Sequence, residues 1–232
     1  MAQLIIYGET SDGYLKKQGP EDGEFKPQRI AQVADYTFLI SDELGCGIYW
    51  DEETIKWSIY RPIVVFNTNI VTHPELIGAT ITGLQLSLFV TYVDAYDDGY
   101  NNALSVQKGI EHDEDRYPHI PIELADYLYT HWEGNAGHLH FLDLGAPGST
   151  PEVYRTWNLA DGLTWLQLTG AGLTKLIIRH NWDITGADNE QAGRFYFSSA
   201  KGTNKPKLIV DYTPGGIAIP VASMHYKKLA GD

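Results

Sequence analysis

The chain has 232 residues, of which 43% are hydrophobic and 20% charged, with 15 Tyr, 7 Phe, 6 Trp and 23 Gly; this is apolar material enough for one large core, in a mix that favours strands and turns over helices. A formal charge of -13 sets the molecule against phosphate backbones and anionic lipid, so neither nucleic acid nor a membrane is an expected partner. The single Cys46 rules out an intrachain disulfide and a thiolate metal cluster, and the opening residues lack the basic and apolar regions of a signal peptide, so synthesis in a cytoplasm without an export signal is expected.

In chain order, the first 35 residues open with an apolar strand-like piece at Leu4 to Ile6 and otherwise read as loop, being rich in Gly, Asp, Lys and Pro. Tyr36 to Ile40 reads as a short strand. Trp57 to Thr68 is a dense β-branched and aromatic run, with Pro62 pushing its start towards an edge or a bulge. The clearest strand follows Gly78: Leu84, Leu86, Leu88, Val90 and Tyr92 fall on one face, and Gln85, Ser87, Phe89 and Thr91 on the other. Ala103 to Lys108 continues the pattern after a turn. Ile122 to Trp132 suits a short connecting helix through Leu124, Tyr127 and Leu128. The stretches HLHFLDL, TWLQLT and LTKLIIRHNW supply further strands, and FYFSSAKGTNKPKLIVDYT ends the regular pattern, with Leu208, Val210 and Tyr212 on one face of the last strand. Short strands at such spacing, with no βαβ rhythm and no repeat, point to an all-β fold: a single jelly-roll antiparallel β-sandwich with long loops over residues 1–213, and a C-terminal arm over 214–232.

Taken in order, SDGYL (Ser11 to Leu15), IYRPIVVFNTN (Ile59 to Asn69), IGATITGLQLSLFV (Ile77 to Val90), GLTKLIIRHNWDI (Gly172 to Ile184) and the final FYFSSAKGTNKPKLIVDYT form a set that resembles the DNRLRE-like sandwich modules. It is still more similar to the related jelly-roll proteins of tailed-phage and environmental-virus genomes. Asn67 stands where that pattern has Asp, and Gly83 where it has Ala. The resemblance implies a sandwich in a virion context and carries over no catalytic residue. Arg61 and Arg179, each in an apolar strand, read as structural groups needing carboxylate or carbonyl partners at the sheet edge.

Few constellations carry chemistry. His138 and His140, two apart on a strand with Asp143 beyond, have metal-ligand spacing but lack a matching carboxylate and a later histidine, so solvent-facing or interface histidines are the simpler assignment. Asp94, Asp97 and Asp98 crowd oxygen donors into a turn that suits calcium, the only cofactor the chain suggests; a solvated turn explains them as well, and no metal is predicted. Glu111, Asp113 and Glu133 are scattered carboxylates with no spacing that fixes a glycosidase pair, and no nucleophile elbow or zincin helix is present. No enzyme is expected. Aromatics beside loops, Trp50, Tyr96, Tyr100, Trp132 and Trp182, are the candidates for glycan contact.

These features predict a virion structural protein, a capsid decoration or fibre module that binds a capsid or other virion protein and self-associates. The alternative is a carbohydrate-binding or adhesion module contacting host surface glycans. The arm carries the assembly expectation: Ile217, Ile219 and Val221 alternate, and Met224, Tyr226 and Leu229 add apolar area beside Lys227 and Lys228, so it is expected to dock on a neighbouring subunit or on the capsid.

Overall fold

The computed structural model describes residues 1–19, 29–51, 53, 55–95, 103–109, 118–133, 138–140, 148–170, 172–185 and 193–215, with the side chains of 94, 95, 103, 129, 133, 138–140, 160, 161 and 182 set aside. Of the arm expected over 214–232, residues 216–232, with every expected assembly residue, lie outside the described residues, as do Tyr96, Asp97, Asp98, Tyr100, Glu111, Asp113 and Asp143.

Thirteen strands form among the described residues: β1 (Ala2–Tyr7), β2 (Gly13–Gln18), β3 (Tyr36–Phe38), β4 (Glu43–Asp51), β5 (Lys56–Asn67), β6 (Thr80–Ala95), β7 (Ala103–Gly109), β8 (Trp132–Glu133), β9 (His138–His140), β10 (Val153–Asn158), β11 (Leu173–His180), β12 (Gly193–Ser198) and β13 (Lys207–Thr213). The ladder runs β1-β13-β6-β12-β4-β5-β11-β7-β8, with β10 on β6, β9 on β7, β2 on β5 and β3 on β2. These pairings are antiparallel. The sheet curls on itself, so that Gly8, just past β1, bridges to Phe66 on β5. The all-β expectation therefore holds.

The curl encloses the larger core. Leu84, Leu86, Leu88 and Val90 of β6 pack there with Val64, Phe66, Leu176, Ile178, Phe195, Phe197, Leu208 and Val210. Tyr92, expected on the same face, does not follow: the register of β12 against β6 slips between Phe197–Val90 and Tyr196–Tyr92, so Val93 takes the buried position and Tyr92 is part-exposed. One extra residue in a strand turns every later side chain over.

β5 is buried on both faces, which explains its unbroken apolar run. Val64 and Phe66 enter the first core, whereas Ile59, Ile63 and Val65 join Leu15, Ile48, Ile122, Tyr127, Trp132 and Ile177 in a second. Pro62 sits inside the strand, not at its edge. It stands opposite Tyr14 of β2, but on the other side of β5 it falls where pairing with β4 has ended at Tyr60 and pairing with β11 begins at Ile63, a gap where a missing N–H costs the β4 and β11 ladders nothing.

Three further expectations are corrected. Gly13–Gln18 is a strand rather than loop, with Leu15 buried and its polar neighbours part-exposed. Ile122 to Trp132 forms two 3-10 turns, Leu124–Tyr127 and Tyr129–His131, because the Asp126 carboxylate accepts the backbone N–H groups of His119 and Glu123 at 2.8–3.1 Å and ties the segment into loops. Thr164 to Thr169 is not a strand. It follows a 3-10 stretch, Ala160–Trp165, and is fixed by hydroxyls: Thr68 Oγ1 donates to the Gln167 carbonyl, and the Gln167 N–H donates to Thr174 Oγ1 at 3.0 Å. The strand in that region is β10, whose Trp157 is buried.

The motif residues have local reasons. Gly83 lies at a register shift between β13 and β6, where an added Cβ would stand 2.7 Å from the Asp211 carboxylate. The Asn67 side chain accepts the Asn69 N–H at 3.2 Å, the Asx-turn role an aspartate also fills.

Candidate binding face

The strongest cluster of ionisable groups is sealed inside. Asp183, in the helical turn Asn181–Thr185 after β11, accepts Arg61 Nε at 2.7 Å, Arg61 Nη2 at 2.6 Å and Arg179 Nε at 2.8 Å. Arg61 also donates to the carbonyls of Tyr127 and Arg29 and lies 3.8 Å from the Tyr127 ring centroid. Arg179 donates to Gln107 Oε1 at 2.9 Å. Both arginines thus have the carboxylate and carbonyl partners expected of them, but in the interior, at 0% and 2% exposure, and not at a sheet edge. Burial alone would raise the Asp183 carboxyl; the charges and hydrogen bonds of Arg179 and Arg61 outweigh it and hold the group well below the usual carboxylate range. Burial also pushes the Cys46 thiol up, so it stays protonated at neutral pH. Each of these groups is consumed by packing.

The accessible chemistry lies elsewhere, on a part-exposed face built across β3, β2, β5, β4, β12 and β6. Tyr36 and Phe38 of β3 lie 6.3 Å apart, and Phe38 stacks on Tyr14 of β2 at 4.4 Å with the rings 9° from parallel. Tyr14 continues to Tyr60 of β5 at 6.2 Å. Across β4, Tyr196 of β12 meets Tyr92 of β6 at 6.2 Å. Gly45 joins the two halves: a Cβ there would touch the rings of Tyr60, Tyr14 and Tyr196 at 3.2, 3.5 and 3.6 Å. A β4 residue without a side chain thus lets three tyrosines converge over bare backbone.

Two cations are threaded into the row. Lys16 Nζ lies 5.8 Å from the Tyr36 ring and 5.4 Å from Tyr60, and the Arg194 guanidinium 4.1 Å from Tyr49 and 5.2 Å from Tyr196. Between them opens a groove of about 510 Å³ lined by Lys16, Tyr49, Trp50, Ser58, Tyr60 and Arg194, with Asp51 and Glu53 also on its walls. Burial pushes the Tyr14 phenol up to about 12, with Tyr196 and Tyr60 adding to the shift, so it remains a neutral hydrogen-bonding group. Face and groove combine flat apolar rings, phenol and hydroxyl groups, and charges of both signs. That suits ligands with both apolar faces and many hydroxyls.

Of the residues expected to meet glycans, Trp50 is on this groove, part-exposed and 5.1 Å from Trp57. Trp132 is not available: it is buried in the second core, its indole N–H donating to the Asp126 carbonyl at 2.8 Å. The backbone of Trp182 lies in the Asn181–Thr185 turn beside the buried ion cluster, and Tyr96 and Tyr100 lie outside the described residues. Asp94 belongs to strand β6, paired with Arg194, so the acidic trio begins in a ladder rather than a turn. His138 and His140 sit at the ends of β9, opposite Ser105 and Ala103; their side chains are among those set aside. Sequence reasoning missed Tyr14, Lys16, Tyr36, Phe38, Tyr49, Tyr60, Arg194 and Tyr196. The available signal was alternation: Tyr14 and Lys16 around buried Leu15, and Arg194 and Tyr196 around buried Phe195.

No family model matches the chain, and no curated protein matches it.

Proposed function

We propose that the chain is a non-catalytic adhesion module that binds carbohydrate on the aromatic face. The observation that carries this is the row of Tyr36, Phe38, Tyr14, Tyr196 and Tyr92, which keep exposed surface around the buried Tyr60 and Gly45. Rings that only fill a core would be buried, whereas these keep surface available for stacking beside the polar groove. The curled antiparallel sheet fits the jelly-roll sandwich implied by the ordered motifs, a scaffold that presents such a face rigidly. The enclosure of the Arg61–Asp183–Arg179 cluster supports a binding rather than a catalytic role.

A glycan panel with tryptophan fluorescence, which reports through Trp50 and Trp57, tests this. Binding that Tyr196→Ala and Tyr36→Ala weaken is expected; silence across the panel would refute it.

A second role, as a capsid decoration or fibre component, is compatible with the first and is favoured by apolar surface at a strand edge. Among the described residues β3 pairs only with β2, and around it Ile30, Val33, Tyr36 and Ile40 are 53%, 48%, 49% and 92% exposed. Such a patch beside an unpaired edge suits self-association or attachment to a virion protein, as does the composition of residues 217–229. Mass spectrometry of purified particles decides it, and absence from them would remove the proposal.

A further inference from the structure

From the layout of this face we infer that its ligand is an uncharged polysaccharide bound along an extended stretch of several sugars lying across the strands, and not a terminal sugar or an acidic chain. This rests on the carbohydrate-binding proposal above and specifies its ligand. The first ground is length. Rings are contributed by β3, β2, β5, β12 and β6, with β4 supplying Gly45, Tyr49 and Trp50; six neighbouring strands have five gaps, so the row runs about 24 Å at the usual ~4.8 Å strand spacing. Tyr60, Tyr14 and Tyr196 meet over Gly45 in the middle of that line and the other rings extend it to either side, where a terminal-sugar site would gather all of them around a single closed pocket.

The second ground is charge. Among its described residues the groove sets Lys16 and Arg194 against Asp51 and Glu53, two of each sign, in a chain whose formal charge is -13. Both cations also lie against rings of the row. A polyanion would meet no net positive potential here and would be repelled by the rest of the molecule. Sugar hydroxyls, which donate to carboxylates and accept from ammonium and guanidinium groups, are matched by such a mixture of charges.

Titration calorimetry of the full chain tests this with neutral hexasaccharides of glucose, xylose and mannose, the matching disaccharides, and an oligogalacturonate hexamer. At least one neutral hexamer is expected to bind tighter than its disaccharide by about tenfold or more, the factor that ~1.4 kcal/mol of added stacking supplies. Lys16→Met beside the groove and Tyr36→Ala and Tyr92→Ala at the two ends of the row should each reduce that advantage, with melting temperature and circular dichroism confirming the fold. Disaccharides binding as well as hexamers, or tighter binding of the galacturonate with steep salt dependence, would overturn the extended, uncharged ligand while leaving carbohydrate binding intact. No binding by any probe would overturn both.

Discussion

Replacing Asp183 by asparagine keeps the shape of the buried cluster and removes the one negative charge among its described residues. In the folded protein Asp183 accepts three guanidinium hydrogen bonds of 2.6 to 2.8 Å, and its carboxylate and both arginine side chains are at most 3% exposed. Asparagine offers one acceptor oxygen, and its amide turns a donor towards two cations that cannot shed their protons. Breaking a buried pair by removing one partner typically costs about 3–5 kcal/mol. A domain of this size loses ~2–4 °C of melting temperature per kcal/mol, so Asp183→Asn should melt about 6–20 °C lower. Differential scanning calorimetry at pH 7, with near-ultraviolet circular dichroism to confirm tertiary packing, measures this. A variant melting within about 2 °C of the parent would show that the arginines find other partners and that Asp183 does not hold the buried cluster together. Acid should act in the same direction. Because the folded carboxyl is held low, the unfolded chain binds its proton first, so the stabilisation is complete above pH ~4 and is lost as pH falls below it.

His180 should govern stability in a milder range. Burial lowers it from 6.5 to about 4, so the unfolded state takes up the proton first and about 2 kcal/mol is lost between pH ~7.5 and ~5; urea melts should show a flatter pH slope in His180→Gln, and an unchanged slope would refute this. Leu86→Asp puts an unpaired carboxylate into the first core at a fully buried position and should abolish soluble expression, whereas Gln85→Lys, on the opposite face, should express and melt like the parent. Gly172→Ala should destabilise by about 3 kcal/mol or more in denaturant melts, since φ is +62° and the new Cβ would stand 2.4 Å from Asn69 Cβ. Chelator should leave the melting temperature unchanged if the Asp94, Asp97 and Asp98 stretch is merely solvated, whereas a calcium site held at one hundred times its dissociation constant would reveal itself by about 2.7 kcal/mol.

How much was legible from sequence varies with how each residue is buried. β6 and β13 were readable because one face packs and the other does not, which writes the period of two directly into the chain. The slip at Tyr92 was not: a single extra residue leaves the alternation looking intact while its sense reverses. β2 and β10 were missed because their outward residues are Lys, Gln, Arg, Thr and Asn, which resemble loop composition when the partner strand is unknown. The apparent helical period of Leu124, Tyr127 and Leu128 was overridden by Asp126, whose carboxylate captures N–H groups from 119 and 123. Arg61 and Arg179 were recognisable as needing partners, but Asp183 is 122 residues from Arg61. The aromatic face was invisible for a related reason: each strand gives it only one or two rings, and only the pairing registers place them in one row.

The pairing of β1 with β13 sets a timetable for the chain. Gln3 donates to Asp211 across 208 positions of sequence, so β1 waits for its ladder partner β13 for about 10–40 s at ordinary synthesis rates. Until residues 153–213 emerge, β6 likewise waits for β10, β12 and β13 in turn, the three strands that flank it. A nascent chain therefore holds its longest strand with both edges open, and on a crowded polysome the nearest β13 to an early β1 can belong to another copy. Exchange of β1 between two chains would reproduce every native hydrogen bond, so the same connectivity that closes the monomer also provides an entangled dimer when synthesis outruns closure.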